Sequence, residues 1–168
     1  GQLIKNVDFI VEAASAGTSA DVAKKAVSAG KDVLIMSVAG ILGNTGVFDI
    51  AGKNNCNIYI PSGALCGLDG LKGAAIAGIK SVTLTTRKAP GSLEGAPYLK
   101  EKNINISSIK KETVIFDGSA IEAAKGFPKN VNVAAALSLA ALGPEKTRVK
   151  IVVVPGSNVN SHEITAEG

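Results

Sequence analysis

His162, the only histidine of the chain, lies in the stretch VPGSNVNSHEI (residues 154–164), after the apolar run KIVVV. Imidazole is the one side chain whose unperturbed pKa lies near neutrality, which makes His162 the first candidate for proton transfer. Glu163 adjoins it, but neighbours along a strand point to opposite faces, so this carboxylate need not be its partner. The second candidate is Asn132, in NVNVAA (130–135). Asn130 is placed to cap a helix, which leaves the Asn132 amide, in the first turn, to offer a donor and an acceptor to a ligand or to bond locally to backbone. The third is the turn PSGALCGLDG (61–70), which contains Cys66. It leaves the carboxyl end of a buried-type strand and enters a helix, where α/β sheets bind ligands. Its small residues let a planar ring or ribose approach the backbone. It reads equally well as a tight strand-to-helix turn.

Other motifs are absent or out of place. Gly40, Gly43 and Gly46 are spaced G-x-x-G-x-x-G rather than G-x-G-x-x-G, with no acidic residue about 20 positions further on after another strand. That glycine run is a decoy for a dinucleotide fingerprint. There is no G-x-S-x-G, no P-loop and no recognisable carboxylate pair, so hydrolase and kinase readings lack support. Cys56 and Cys66 form no C-x-x-C and have no histidine at ligand spacing. No metal site and no disulfide framework are expected, and a reduced, cytoplasmic setting fits.

The elements that must position these residues alternate at first between strand and helix. Residues 7–13 (VDFIVEA) and 32–38 (DVLIMSV) read as strands apolar on both faces, and 57–61 (NIYIP) as a third. Between the first two lies a helix capped by Ser19, running to about Ala29 and stopped by Gly30. A short helix is expected within 40–55. This is the signature of a parallel sheet in an α/β layer structure. Next, Leu68, Leu71, Ala75, Ile76 and Ile79 follow helical spacing. The pattern then changes: 81–86 (SVTLTT) alternates with period two, as a strand with one wet face. Arg87 and Lys88 follow it in the loop. Residues 113–116 are a short strand, Ser119 and Glu122 form a capping box, a longer helix covers 131–142, and strands follow at 148–154 and from 162. The expected division is therefore 1–80, βαβ-type, and 81–168, α+β with a largely antiparallel sheet. The last strand has no visible partner after it.

The chain has 168 residues, 46% of them hydrophobic and 19% charged, enough for a core, which should be aliphatic since Trp is absent. Net charge is +4, and all of the excess falls after residue 60. The basic pairs Arg87-Lys88 and Lys110-Lys111 lack the aromatic neighbours of a nucleic-acid surface. They read as solvated faces, or as a site for an anionic small molecule. No run of about 18 apolar residues suggests a membrane span, and the first residues lack the apolar centre of a secretory signal.

The blocks VDFIVEAAS, DVLIMSV, IYIPSGALCGLDGLK, VTLTTRKAP, FPKNVNVAAALSLA and SNVNSHEI, taken in order, resemble the L-aspartate dehydrogenase family over nearly the whole chain, with overall similarity to archaeal members. The resemblance implies NAD(P)-dependent oxidation of L-aspartate to iminoaspartate, which feeds quinolinate and NAD biosynthesis or hydrolyses to oxaloacetate and ammonia. It implies a partial Rossmann-type cofactor domain over 1–80, an incomplete catalytic and dimerisation domain over 81–168, and a homodimer. It makes His162 the catalytic residue, and Asn132 and Cys66 contacts to NAD or NADP. Alanine is usual at the Cys66 position; a thiol is little larger than a methyl, so a backbone contact there should survive. Arg87 and Lys88 are candidates for the substrate carboxylates. A full member opens with a strand and G-x-G-x-x-G, so the chain is expected to start downstream of both and to stop before its second domain is complete. Alone, it is expected to bind dinucleotide poorly and to be inactive. Two other readings stay open: a related oxidoreductase of the homoserine dehydrogenase kind, and a non-catalytic scaffold.

Overall fold

Buried Glu12 decides how the first strand ends. In a computed structural model, which describes residues 2–168, its carboxylate accepts the backbone N–H of Ala14 (2.8 Å), Ser15 (3.2 Å) and Ser37 (3.0 Å). Three N–H donors satisfy a charge that burial would otherwise leave costly. The helix begins four residues earlier than the sequence suggests, at Ala16 with Ser15 as its N-cap residue. Ser19, expected as the cap, is instead buried inside the helix and donates to the Ala16 carbonyl (3.4 Å).

The chain divides by compactness between Pro61 and Ser62, whereas the sequence pattern places the change near residue 80. The first unit contains α1 (Gln2–Lys5), β1 (Phe9–Glu12), α2 (Ala16–Ser28), β2 (Asp32–Ile35), α3 (Gly46–Lys53) and β3 (Ile58–Tyr59). Its three strands are parallel, in the order β1-β2-β3. At the end of α2, Gly30 (φ 71°) donates to Val27 and Lys31 donates to Ala26, the Schellman stop expected of a glycine there. Ile10, Val33 and Ile35 bury against Ala23, Ala26 and Val27 of α2 and Val47 and Ala51 of α3. Only one face is covered in this way. Phe9, Val11 and Tyr59 are exposed, with the Phe9 and Tyr59 rings 5.7 Å apart. β1 and β2 alternate buried with more exposed positions, although both faces carry apolar residues.

Gly40 shows what the glycine run does. A Cβ there would overlap the Ala16 carbonyl and the Ser19 hydroxyl, whereas Gly43 and Gly46 have nothing within 4 Å. Gly40 lets a 3₁₀ turn (Val38–Ile41) pack directly on α2.

The second unit contains α4 (Leu68–Ala77), β4 (Ser81–Lys88), α5 (Pro97–Glu101), β5 (Thr113–Ser119), α6 (Ala120–Gly126), α7 (Asn132–Ala140), β6 (Thr147–Val153) and β7 (Ser161–Glu167). The sheet order is β5-β6-β4-β7. Its two outer pairings are antiparallel, so the sheet is largely antiparallel as expected, and the central β4–β6 pairing is parallel. The last strand, β7, pairs with β4, some eighty residues earlier. The capping box forms, with Glu122 N–H donating to Ser119 Oγ (3.3 Å) and Ser119 N–H donating to Glu122 (2.8 Å). The expected face of α4 does not: only Leu71 is buried, and Ile76 is 90% exposed. The core is not wholly aliphatic either, because Phe116 and Phe127 are buried, their ring centroids 5.6 Å apart and 5.2 and 5.3 Å from that of Tyr98.

Gly40→Ala should cost about 2 kcal/mol by overpacking the α2 contact, while Gly43→Ala stays within about 0.5 kcal/mol of the parent. Urea unfolding of the two variants measures the difference.

Candidate functional site

The strand signal in VTLTT runs on through Arg87 and Lys88. β4 alternates without a break: Val82, Leu84, Thr86 and Lys88 are buried, while Ser81, Thr83, Thr85 and Arg87 are partly exposed. Arg87 and Lys88, expected in a loop, are strand residues on opposite faces.

On the more exposed face, Arg87 is fully engaged. It donates to Glu112 and to Glu163, each at 3.0 Å, and these bonds raise its pKa, with Glu163 the larger cause. Glu163 therefore serves the arginine and is not the partner of the adjacent histidine. Arg148 and Asp117 form a second pair nearby, through two bonds of 2.6 and 2.8 Å.

His162 occupies the other face. After β6, a turn through Gly156 (φ 78°), closed by Ser157 N–H on the Val154 carbonyl (3.2 Å), carries the chain past the end of β4. Val154 N–H donates to the Lys88 carbonyl (2.9 Å), tying the end of β6 to the end of β4. The chain then returns as β7 with Thr86 opposite His162, Leu84 opposite Ile164 and Arg87 opposite Ser161. Cross-strand partners share a face, so His162 lies beside Thr86, with Lys88 two residues along on the same side.

This neighbourhood sets the chemistry of the imidazole. Nδ1 is buried without a hydrogen-bond partner among the described residues. Burial lowers the His162 pKa from its ordinary value near 6.5, and the Lys88 charge lowers it further. The ring is therefore neutral at pH 7, the form that can accept a proton. Burial also lowers the pKa of Lys88, which has no acidic partner among the described residues.

Asn132 is the first residue of α7 and is exposed. Asn130, expected as the cap, is not: the N-cap position falls on Val131, with no side-chain cap bond. Cys66 is an exposed free thiol in the turn before α4, flanked by Gly63 (φ 59°) and Gly67 (φ 73°). Both glycines adopt the left-handed backbone that other residues avoid, and neither has an atom within 4 Å of where a Cβ would stand. That leaves bare backbone on which a ring or ribose can lie. The exposed Asn132 amide supplies a donor and an acceptor, on a helix in contact with α4. These features fit a nicotinamide dinucleotide. Among the described residues, no group of three or more His, Cys, Asp and Glu side chains is placed to hold a metal, and no helix is long and apolar enough to cross a membrane.

Sequence reasoning missed Thr86, and it put Lys88 on no face. The signal was present: period two counted from Val82 gives both residues buried parity.

The fold and site define a Rossmann-type α/β unit joined to an α+β unit of the dehydrogenase kind. The family described as "Aspartate dehydrogenase, C-terminal" matches residues 69–168, and "Homoserine dehydrogenase, NAD binding domain" matches 1–61. The chain belongs to the aspartate dehydrogenase family. It is 51% identical to the L-aspartate dehydrogenase of Methanococcoides burtonii, over 99% of this chain and 63% of that protein. Against that of Bradyrhizobium diazoefficiens it is 42% identical, covering 99% and 59%. The crystal structure of aspartate dehydrogenase from Thermotoga maritima superposes with a TM-score of 0.78 at 29% identity, over 96% of this chain and 64% of that one. The chain thus spans somewhat less than two thirds of the length of these relatives.

A lowered His162 pKa fixes the sign of a pH effect. Between that lowered value and about 6.5, the unfolded chain holds a proton that the folded chain does not, so stability falls as pH drops through this window. His162→Gln should remove this component of the slope in urea unfolding at stepped pH. In Lys88→Met the His162 pKa should rise, read from the single Hε1 resonance by proton NMR.

Proposed function

We propose that the protein to which this chain belongs oxidises L-aspartate to iminoaspartate with NAD⁺ or NADP⁺. The product would feed quinolinate and NAD biosynthesis or hydrolyse to oxaloacetate and ammonia. The observation that carries the reading is His162: a neutral, half-buried imidazole on the covered face of the sheet, in a chain of the aspartate dehydrogenase family.

Substrate ammonium must lose a proton before its nitrogen lone pair can form the C=N bond. Neutral His162 takes that proton, and the nearby Lys88 charge favours passing it on to solvent. Bound NAD(P)⁺ would supply the acceptor for the Cα hydride, which leaves with the electron pair of the C–H bond. Asn132 and the turn around Cys66 hold and orient the cofactor; at Cys66 the contact is through backbone. The first unit belongs to the cofactor domain and the second to the catalytic domain. Two free cysteines support a cytoplasmic setting, and the family resemblance supports a homodimer.

The match of 1–61 to a homoserine dehydrogenase cofactor domain favours one alternative substrate. Activity of the protein, made at the length of its relatives, should decide: aspartate-dependent formation of reduced cofactor is expected, and turnover of homoserine but not aspartate would overturn the reading. His162→Ala should lower kcat about 10²- to 10⁴-fold. Asn132→Ala should raise the KM for cofactor roughly tenfold, the worth of one or two hydrogen bonds, and Cys66→Ala should leave it nearly unchanged. Steady-state kinetics with each variant provide the check.

A further inference from the structure

Three polar groups meet on the covered face of the second unit's sheet: the Thr86 hydroxyl and His162 Nδ1, both buried without a hydrogen-bond partner among the described residues, and the Lys88 ammonium, with no ion pair among them. The Thr147 hydroxyl, opposite Val82 at the far end of β4, is likewise buried and unpartnered. Thr86 is 3% exposed and Lys88 7%. Buried hydroxyls are nearly always hydrogen-bonded, and buried ammonium groups are nearly always paired. The acids closest in sequence and sheet position do not serve them: Glu112 and Glu163 are held by Arg87 on the opposite face.

The register brings the three groups together. Thr86 and His162 are direct cross-strand partners, with Cβ atoms about 5 Å apart. Lys88 follows Thr86 on the same face, about 7 Å further along the strand. A hydroxyl donor, a cation and a neutral imidazole thus lie in one row at the carboxyl end of β4. Methionine would fill the place of Lys88 without its charge, so packing alone does not explain an ammonium there.

We propose that Lys88 and Thr86 form a seat for one carboxylate of the substrate, placed beside His162. The identity of the ligand as aspartate rests on the functional reading above; the seat itself rests on the geometry. The lysine forms the ion pair and the threonine hydroxyl donates to the same anion, so the substrate's amine is held within reach of the imidazole. Arg87, the other basic candidate, is excluded because both its carboxylate partners and its face are elsewhere.

The seat has a consequence for His162. Thr86 and Lys88 are the polar groups that face it from β4, and among the described residues β7 is an edge strand. On β7 itself, Ile164 shares its face and Glu163 does not. An anion on Lys88 cancels the positive charge acting on the ring and adds a negative one. Proton affinity at His162 therefore rises when the carboxylate binds, which strengthens the base once substrate is in place.

Succinate, a dicarboxylate without an amine to oxidise, is the probe. In the protein made at the length of its relatives, succinate should raise the His162 pKa by roughly half a unit or more, read from its Hε1 resonance. In Lys88→Met the rise should vanish, and the KM for aspartate should increase about 10- to 100-fold, as for a lost charged hydrogen bond. Thr86→Val, which keeps the volume, should raise that KM about three- to tenfold. The melting temperature of Lys88→Met should not fall, since the seat serves a ligand; a variant that fails to fold counts against the proposal. An unchanged KM and an unchanged succinate response in Lys88→Met would overturn it. The two readings fail separately. Turnover of aspartate with no dependence on Lys88 removes the seat and leaves the function. A Lys88-dependent succinate response without aspartate turnover keeps the seat and removes the function.

Discussion

The antiparallel pairing of Ser161–Glu167 with β4 is the constraint on which the site depends. Side chains alternate across a sheet, so a slip of one residue would move His162 to the other face, among Arg87 and its two carboxylates. There it would be a solvated histidine beside strong charges. In the observed register it is half-buried next to a threonine and an unpaired lysine, and it stays neutral. The register is held from both sides of the sheet. Ile164 and Leu84 pair on the covered face, while Arg87 binds Glu163 across the strands on the other. The exposed ion pair adds little stability of its own, but a slipped register would break it as well as expose the apolar pair.

Charge is sorted by face in the second unit. Arg87, Glu112, Glu163, Arg148 and Asp117 form mutually satisfied groups on the more exposed side. Across the sheet, Lys88 is left with no acid among the described residues. Two adjacent basic residues in one sequence thus have opposite fates: one is spent on structure, and the other keeps its charge for a ligand.

In the first unit the corresponding organising group is the Glu12 carboxylate, which gathers three backbone N–H groups from the end of β1, the start of α2 and the end of β2. It places the helix start and so places Ser19 and Ala16, against which Gly40 packs. Of the glycine run that imitates a fingerprint, Gly40 is explained by this contact, while Gly43 and Gly46 stand in open space.

Local patterns were legible wherever their cause was local. The Gly30 stop, the Ser119–Glu122 capping box, the period-two alternation from Val82 and the βαβ order all depend on residues a few positions apart, and they stand in the structure as the sequence implies. The motif blocks carried the family and singled out His162, Asn132 and Cys66. What distant partners decide was not legible. Glu12 also binds Ser37 N–H, twenty-five residues away, the parallel β4–β6 pair crosses some sixty residues, and β7 found its partner some eighty residues back. The role of Lys88 belongs to this second kind. Its parity can be counted from the sequence, but only the tertiary fold brings it beside His162 while taking the nearby acids to the opposite face, because strand pairing alone determines which distant side chains share a surface.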